Sequence, residues 1–125
     1  MMPICLIEGA KLTVIALNTF TLAWTHTVEK SGWEEDWRND GDSLVLMEAR
    51  IKGSGAGMEP PEDARLVDGW WRYTPPALRV PELRLANNGG PAGRWRVCTD
   101  VGCREIGATA DNAPLVIASC PGAHR

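Results

Sequence analysis

Glycine and proline punctuate this chain so often that long helices are excluded. Thirteen glycines and nine prolines are spread over 125 residues. Proline lacks the amide hydrogen that a helix interior needs, and glycine loses more backbone freedom than any other residue when it is fixed. The segments between these breaks read as strands. In residues 20–29, Phe20, Leu22, Trp24, His26 and Val28 share one face, and Thr21, Ala23, Thr25, Thr27 and Glu29 the other. That is the period of a half-buried strand. Residues 43–52 follow the turn signal Asn39-Asp40-Gly41-Asp42 and read as a second strand. Its predicted faces are Val45/Met47/Ala49/Ile51 and Leu44/Leu46/Glu48/Arg50.

Further strands are predicted at residues 4–7, 12–17, 70–73, 82–86, 94–99 and 115–119. Residues 53–68 carry no hydrophobic period and are expected to be one long loop, with a short helical turn over residues 61–66. Residues 87–91 read as a shorter loop. Many short strands between Gly/Pro turns predict one all-β domain over residues 1–125. A small β-sandwich or a barrel-like fold with one long Gly/Pro-rich loop both suit the pattern.

Composition excludes several roles. A hydrophobic share of 44% excludes disorder. The net charge of −3 is interspersed, which argues against nucleic acid or an anionic membrane as partner. No apolar stretch approaches the roughly 20 residues of a membrane-spanning helix.

Four cysteines allow three pairings. Cys98 and Cys103 flank the turn Asp100-Val101-Gly102 and suit a bridge between its arms. Cys5 and Cys120 lie at or beside the two terminal strands and suit a staple between them. Two disulfides imply an oxidising compartment. A zinc site and free buried thiols stay open as alternatives, although zinc sites usually show paired C-x2-4-C knuckles. The apolar start Met1-Met2-Pro3-Ile4-Cys5-Leu6-Ile7 ends at Glu8, has no basic region before it and is short for a signal peptide. An upstream start or a processed chain reconciles it with oxidised cysteines, so a periplasmic or cell-envelope location is expected.

Trp33-Glu34-Glu35-Asp36-Trp37-Arg38 is the densest local cluster. As a strand it sets Glu35 between Trp33 and Trp37 on one face, with Glu34, Asp36 and Arg38 on the other. A carboxylate beside indoles has a raised pKa or takes a donor such as Arg50. Two tryptophans around a carboxylate can cradle a cationic or sugar-like ligand, or else pack as an edge strand. His26 reads either as a hydrogen-bonded core residue or, with Glu29 and Glu35, as a metal site. The run Gly53, Ser54, Gly55, Gly57 and Met58 lacks the Lys-Ser/Thr of a phosphate loop. Its glycines still permit close backbone approach and anion binding through N–H groups. Trp24, Trp70 and Trp71 complete the candidate binding set. No nucleophile elbow is present, and no catalytic constellation or cofactor is indicated.

Residues 20–30, the Trp33–Trp37 cluster, Gly53-Ser54-Gly55-Ala56-Gly57-Met58-Glu59-Pro60-Pro61 and Asp68-Gly69-Trp70-Trp71 together resemble the bacterial domain-of-unknown-function 1850 family. The spacing of Cys98, Cys103 and Cys120 fits as well. Thr27 stands where a serine is expected, which keeps the hydroxyl. The resemblance implies an accessory protein of TRAP-type (TAXI) solute uptake, with a transporter component or its small-molecule solute as partner. It implies no catalytic or binding residue. Taken together, the expectation is a non-enzymatic envelope protein that uses its Trp-rich face and its glycine loop. A metal-binding protein or metal-dependent enzyme using His26 and nearby carboxylates, and a purely structural domain, are the alternatives.

Overall fold

A computed structural model describes residues 3–26, 31–52, 62–75, 78–85, 95–107 and 115–120, apart from the side chains at 25, 26 and 31. Its regular elements are all strands: β1 (Ile4–Glu8), β2 (Lys11–Ile15), β3 (Thr19–His26), β4 (Ser31–Asn39), β5 (Leu44–Lys52), β6 (Arg65–Val67), β7 (Trp70–Tyr73), β8 (Leu78–Val80), β9 (Glu82–Leu85), β10 (Trp95–Thr99), β11 (Gly102–Ile106) and β12 (Leu115–Ser119). They form two antiparallel sheets, not a closed barrel, so the sandwich alternative holds. The small sheet runs β2-β1-β12-β9, and the large one β11-β10-β3-β4-β5-β7-β6. β8 also joins the large sheet, pairing the first part of β5 while β7 pairs the last part.

Alternation in the sequence becomes burial in the structure. Phe20, Leu22, Trp37, Leu44, Leu46, Val97 and Ile106 from the large sheet meet Ile4, Leu6 and Ile117 from the small one in a single core cluster. Burying each such aliphatic or aromatic side chain stabilises the fold by roughly 1.5–3 kcal/mol.

Four sequence expectations need correction or completion. The predicted helical turn over 61–66 is not seen among the described residues. Instead Arg65–Val67 forms β6, closed onto β7 by Asp68 (φ 52°) and Gly69 (φ 86°). Positive φ at both positions gives the tight hairpin turn that Asp-Gly favours. The strand therefore falls inside the stretch expected to be loop. β8 went unpredicted, because three residues between prolines carry too little pattern. The faces predicted for β5 are also split. The β4–β5 register slips between Asp36 and Trp37, leaving Met47 as the extra residue opposite the break. This bulge moves Leu44 and Leu46 onto the face of Ala49 and Ile51, and sends Met47 out to solvent, 42% exposed.

Both expected disulfides are present. Cys5–Cys120 has Cα atoms 5.1 Å apart, and Cys98–Cys103 has them 4.0 Å apart. The terminal strands pair directly, Cys5 opposite Ala118. No cysteine is free.

One buried amide joins the sheets. Asn39, at the end of β4, has no exposed surface. Its Nδ2 donates to the Pro3 carbonyl (3.0 Å) and to Ser119 Oγ (3.1 Å), while its Oδ1 accepts from the Gly41 amide (2.9 Å). Replacing Asn39 with Ala strands these groups without solvent. We expect a loss of about 2 kcal/mol in unfolding free energy, read as a lower urea midpoint with unchanged slope.

Candidate functional site

Cross-strand register arranges the inner face of the large sheet in rows. Trp24 pairs Trp33, Trp33 pairs Ile51, and Ile51 pairs Trp71. Trp95 continues this row on β10, its ring centroid 5.0 Å from that of Trp24 and tilted by 55°. In the next row Leu22 pairs Glu35, Glu35 pairs Ala49, and Ala49 pairs Tyr73. Four tryptophans, a tyrosine and one carboxylate thus share a patch of one face. Trp24 and Trp95 pack against the core, whereas Trp33, Glu35, Trp71 and Tyr73 are half-buried and stand outside the core cluster.

The geometry within the patch is ordered. Trp24 and Trp33 are parallel within 7°, with centroids 5.8 Å apart. The Trp33 indole Nε1 is buried and makes no hydrogen bond among the described residues. Glu35 accepts a hydrogen bond from Trp37 Nε1 at 3.1 Å. Burial holds its carboxyl above the usual range, and the Trp37 hydrogen bond offsets only part of this. Tyr73 is also raised, first by burial and then by the charge of Glu35.

Glu35 with a raised pKa binds its proton more tightly in the folded than in the unfolded chain. Its ionisation therefore costs stability as pH rises from about 4.5, the ordinary carboxyl value, through the raised folded value. We expect Glu35→Gln to raise the thermal midpoint at pH 7, and the difference to disappear below pH 4.5. Calorimetry across pH 4–8 checks this.

Arg50 is not the donor to Glu35. It stands on the opposite face, at the centre of a charge network. Its Nε donates to Glu34 (2.9 Å), its Nη1 to Asp36 (2.7 Å) and Glu48 (2.7 Å), and its Nη2 to Asp36 (2.8 Å). Its hydrogen bonds to Asp36 chiefly, then to Glu48 and Glu34, raise its pKa further despite burial. Arg72 adds a second cation on Glu48 at 2.8 Å. Trp70 also faces outward. Lys52 Nζ lies 5.6 Å from its ring centroid, and its ring tip crosses over Gly32, where a Cβ would come within 3.0 Å. The adjacent tryptophans Trp70 and Trp71 therefore serve opposite faces.

His26 pairs Ser31 at the tip of β3–β4. Glu29, Gly53, Ser54, Gly55, Gly57 and Met58 lie outside the described residues. Among the described residues no group of three His, Cys, Asp or Glu side chains comes together as a metal site. Sequence reasoning missed Trp95 and Tyr73. Both were visible as alternate-position partners, of Val97 on β10 and of Trp71 on β7.

Concavities are found elsewhere on the surface. One of about 360 Å³ on the outer face is lined by Thr19, Thr21, Asp36, Met47, Cys98 and Asp100, among others. Asp36 there is already held by Arg50 and by the Thr21 hydroxyl. No described helix is long and apolar enough to cross a membrane.

The model of the family described as "Domain of unknown function (DUF1850)" matches residues 20–106. That span runs from the second residue of β3 to the end of β11 and so takes in the whole aromatic patch, leaving β1, β2 and β12 outside. No curated protein and no solved structure matches the chain. A match over well more than half of the chain's 125 residues shows that this protein belongs to the DUF1850 family.

Proposed function

We propose that this protein is a non-enzymatic binding protein of the bacterial periplasm or cell envelope, working beside a TRAP-type (TAXI) uptake system. Its aromatic face holds either the transported solute or a transporter component. The observation that carries this reading is the half-buried patch of Trp24, Trp33, Trp71, Tyr73, Trp95 and Glu35, ordered by strand register yet only partly used by the core. Aromatic groups with a few placed polar atoms are the usual lining of a ligand site. The two disulfides suit an oxidising compartment. Placement beside a TAXI system rests on the resemblance stated above.

The reading predicts three results. Deleting the gene lowers solute uptake by the cognate system. The protein either co-purifies with the permease or shifts its tryptophan emission when the solute is added. Trp33→Leu abolishes whichever of these occurs. Normal uptake in the deletion strain, together with neither interaction, would overturn it.

A further inference from the structure

We propose that the aromatic face takes a small methylated ammonium ion, with the Glu35 carboxylate as counter-ion and the Trp24 and Trp33 indoles as its wall. This rests on the reading that the face binds a solute, and it names the solute's chemical class.

Strand β4 carries three carboxylates in a row, and the fold treats them differently. Glu34 and Asp36 point outward and are both bonded by Arg50. Glu35 points inward and, among the described residues, receives only a neutral indole N–H. Among the described residues no cation pairs with it. A half-buried carboxylate left this way costs free energy, so a chain that keeps it there gains when a cation arrives.

The surroundings select which cation. Trp24 and Trp33 stack in parallel, with ring centroids 5.8 Å apart, one row from Glu35. Trp95, its ring 5.0 Å from that of Trp24 and tilted by 55°, extends the row on β10. Ring faces carry negative electrostatic potential, which attracts cations and repels anions. Carboxylate and ring faces thus act in the same sense. A neutral guest would leave the carboxylate unused. A primary ammonium would give up strong hydration for one carboxylate, while a methylated ammonium is weakly hydrated and touches rings through its methyl groups. The outer face offers an internal comparison. There Trp70 already has a cation of the chain's own, Lys52, beside its ring. The inner wall has none among the described residues.

Choline is the probe, and 3,3-dimethylbutan-1-ol, its uncharged isostere, is the control. Tryptophan fluorescence of the wild-type protein is titrated with each. Choline is expected to give a saturable change, and the isostere to bind at least tenfold more weakly. Glu35→Gln and, separately, Trp33→Leu are each expected to weaken choline binding at least tenfold. Circular dichroism confirms the fold of both variants, and Glu35→Gln is expected to melt no lower than wild type. Three results would overturn the inference: no response to choline, equal binding of the isostere within twofold, or undiminished binding by folded Glu35→Gln. Phosphatidylcholine vesicles carry the same headgroup and are expected not to pellet the protein. Pelleting that free choline fails to compete would also overturn assignment to a free ion. Uptake in the deletion strain is independent of these titrations, so failure of the ion class and failure of the solute-binding reading are told apart.

Discussion

Replacing Cys5 and Cys120 together with alanine is expected to lower the unfolding free energy by about 5 kcal/mol. The bridge spans 115 residues, and tying a loop that long removes a large share of the unfolded chain's freedom. Domains of this kind are stable by roughly 5–15 kcal/mol, so the variant sits near or below the threshold of folding at 37 °C. The location of the loss is also specific. Cys5 and Cys120 are 3% and 7% exposed, packed where β1 meets β12 beside the Asn39 bridge. Removing Cys98 and Cys103 instead should cost about 2 kcal/mol, because that loop closes only five residues. It should also be reduced first, since Cys103 is exposed and Cys98 only half-buried. Urea unfolding of the two double variants, together with timed thiol trapping under mild reductant, checks both statements. Equal stability losses in the two variants would contradict the loop-length argument.

The second large effect concerns Arg50→Met, for which we expect a loss of about 3 kcal/mol at pH 7. Arg50 is 8% exposed and holds Glu34, Asp36 and Glu48 at once. Breaking a buried ion pair by removing one partner costs about 3–5 kcal/mol. The lower end applies because the three carboxylate side chains are 28%, 37% and 31% exposed, so water takes up part of the released charge. The pH dependence has a definite sign. Burial alone would raise the Asp36 carboxyl. Hydrogen bonds from Arg50 and Thr21 and the charges of Arg50 and Arg72 outweigh it and hold the group below 3.8. Stability from this source is present above the ordinary value and is lost as pH falls through the lowered one. Without Arg50, only the Thr21 hydrogen bond and the Arg72 charge oppose the burial of Asp36, so the variant loses less on acidification. The gap between wild type and variant should therefore narrow as pH falls from 7 to 3. A gap that stays constant would remove electrostatics as its cause.

Much of this fold was legible because alternation and burial are the same fact seen twice. The 70–73 and 115–119 strands match their structural bounds, and the terminal staple followed from placing Cys5 and Cys120 at the ends. The inward face of Trp33, Glu35 and Trp37 was also readable. The partner of each face was not, because register is a relation between strands that no single strand encodes. Arg50 stood as a candidate donor to Glu35, beside a raised pKa, for that reason. Only the β4–β5 pairing shows that Arg50 lies opposite Glu34 and bonds Glu34 and Asp36. The bulge at Met47 was hidden likewise, since an extra residue looks ordinary until a partner strand fails to match it. For the candidate site, the tryptophans other than Trp95 were foreseen as a set, but their division between faces rests on pairing. Trp71 follows Ile51 inward, while Trp70 follows Lys52 outward.

The bond between Cys5 and Cys120 has a mechanical meaning as well. A pull applied at Pro3 and Cys120 would act on neighbouring points of one antiparallel pair. Hydrogen bonds alone would then open one after another, like a zipper. The covalent link at the very start of that line takes the load instead, so residues 6–119 lie in a slack loop that tension never reaches. While it is oxidised, both sheets and the aromatic face keep their shape under a force that would otherwise unravel them; once it is reduced, the first thing to part is β1 from β12.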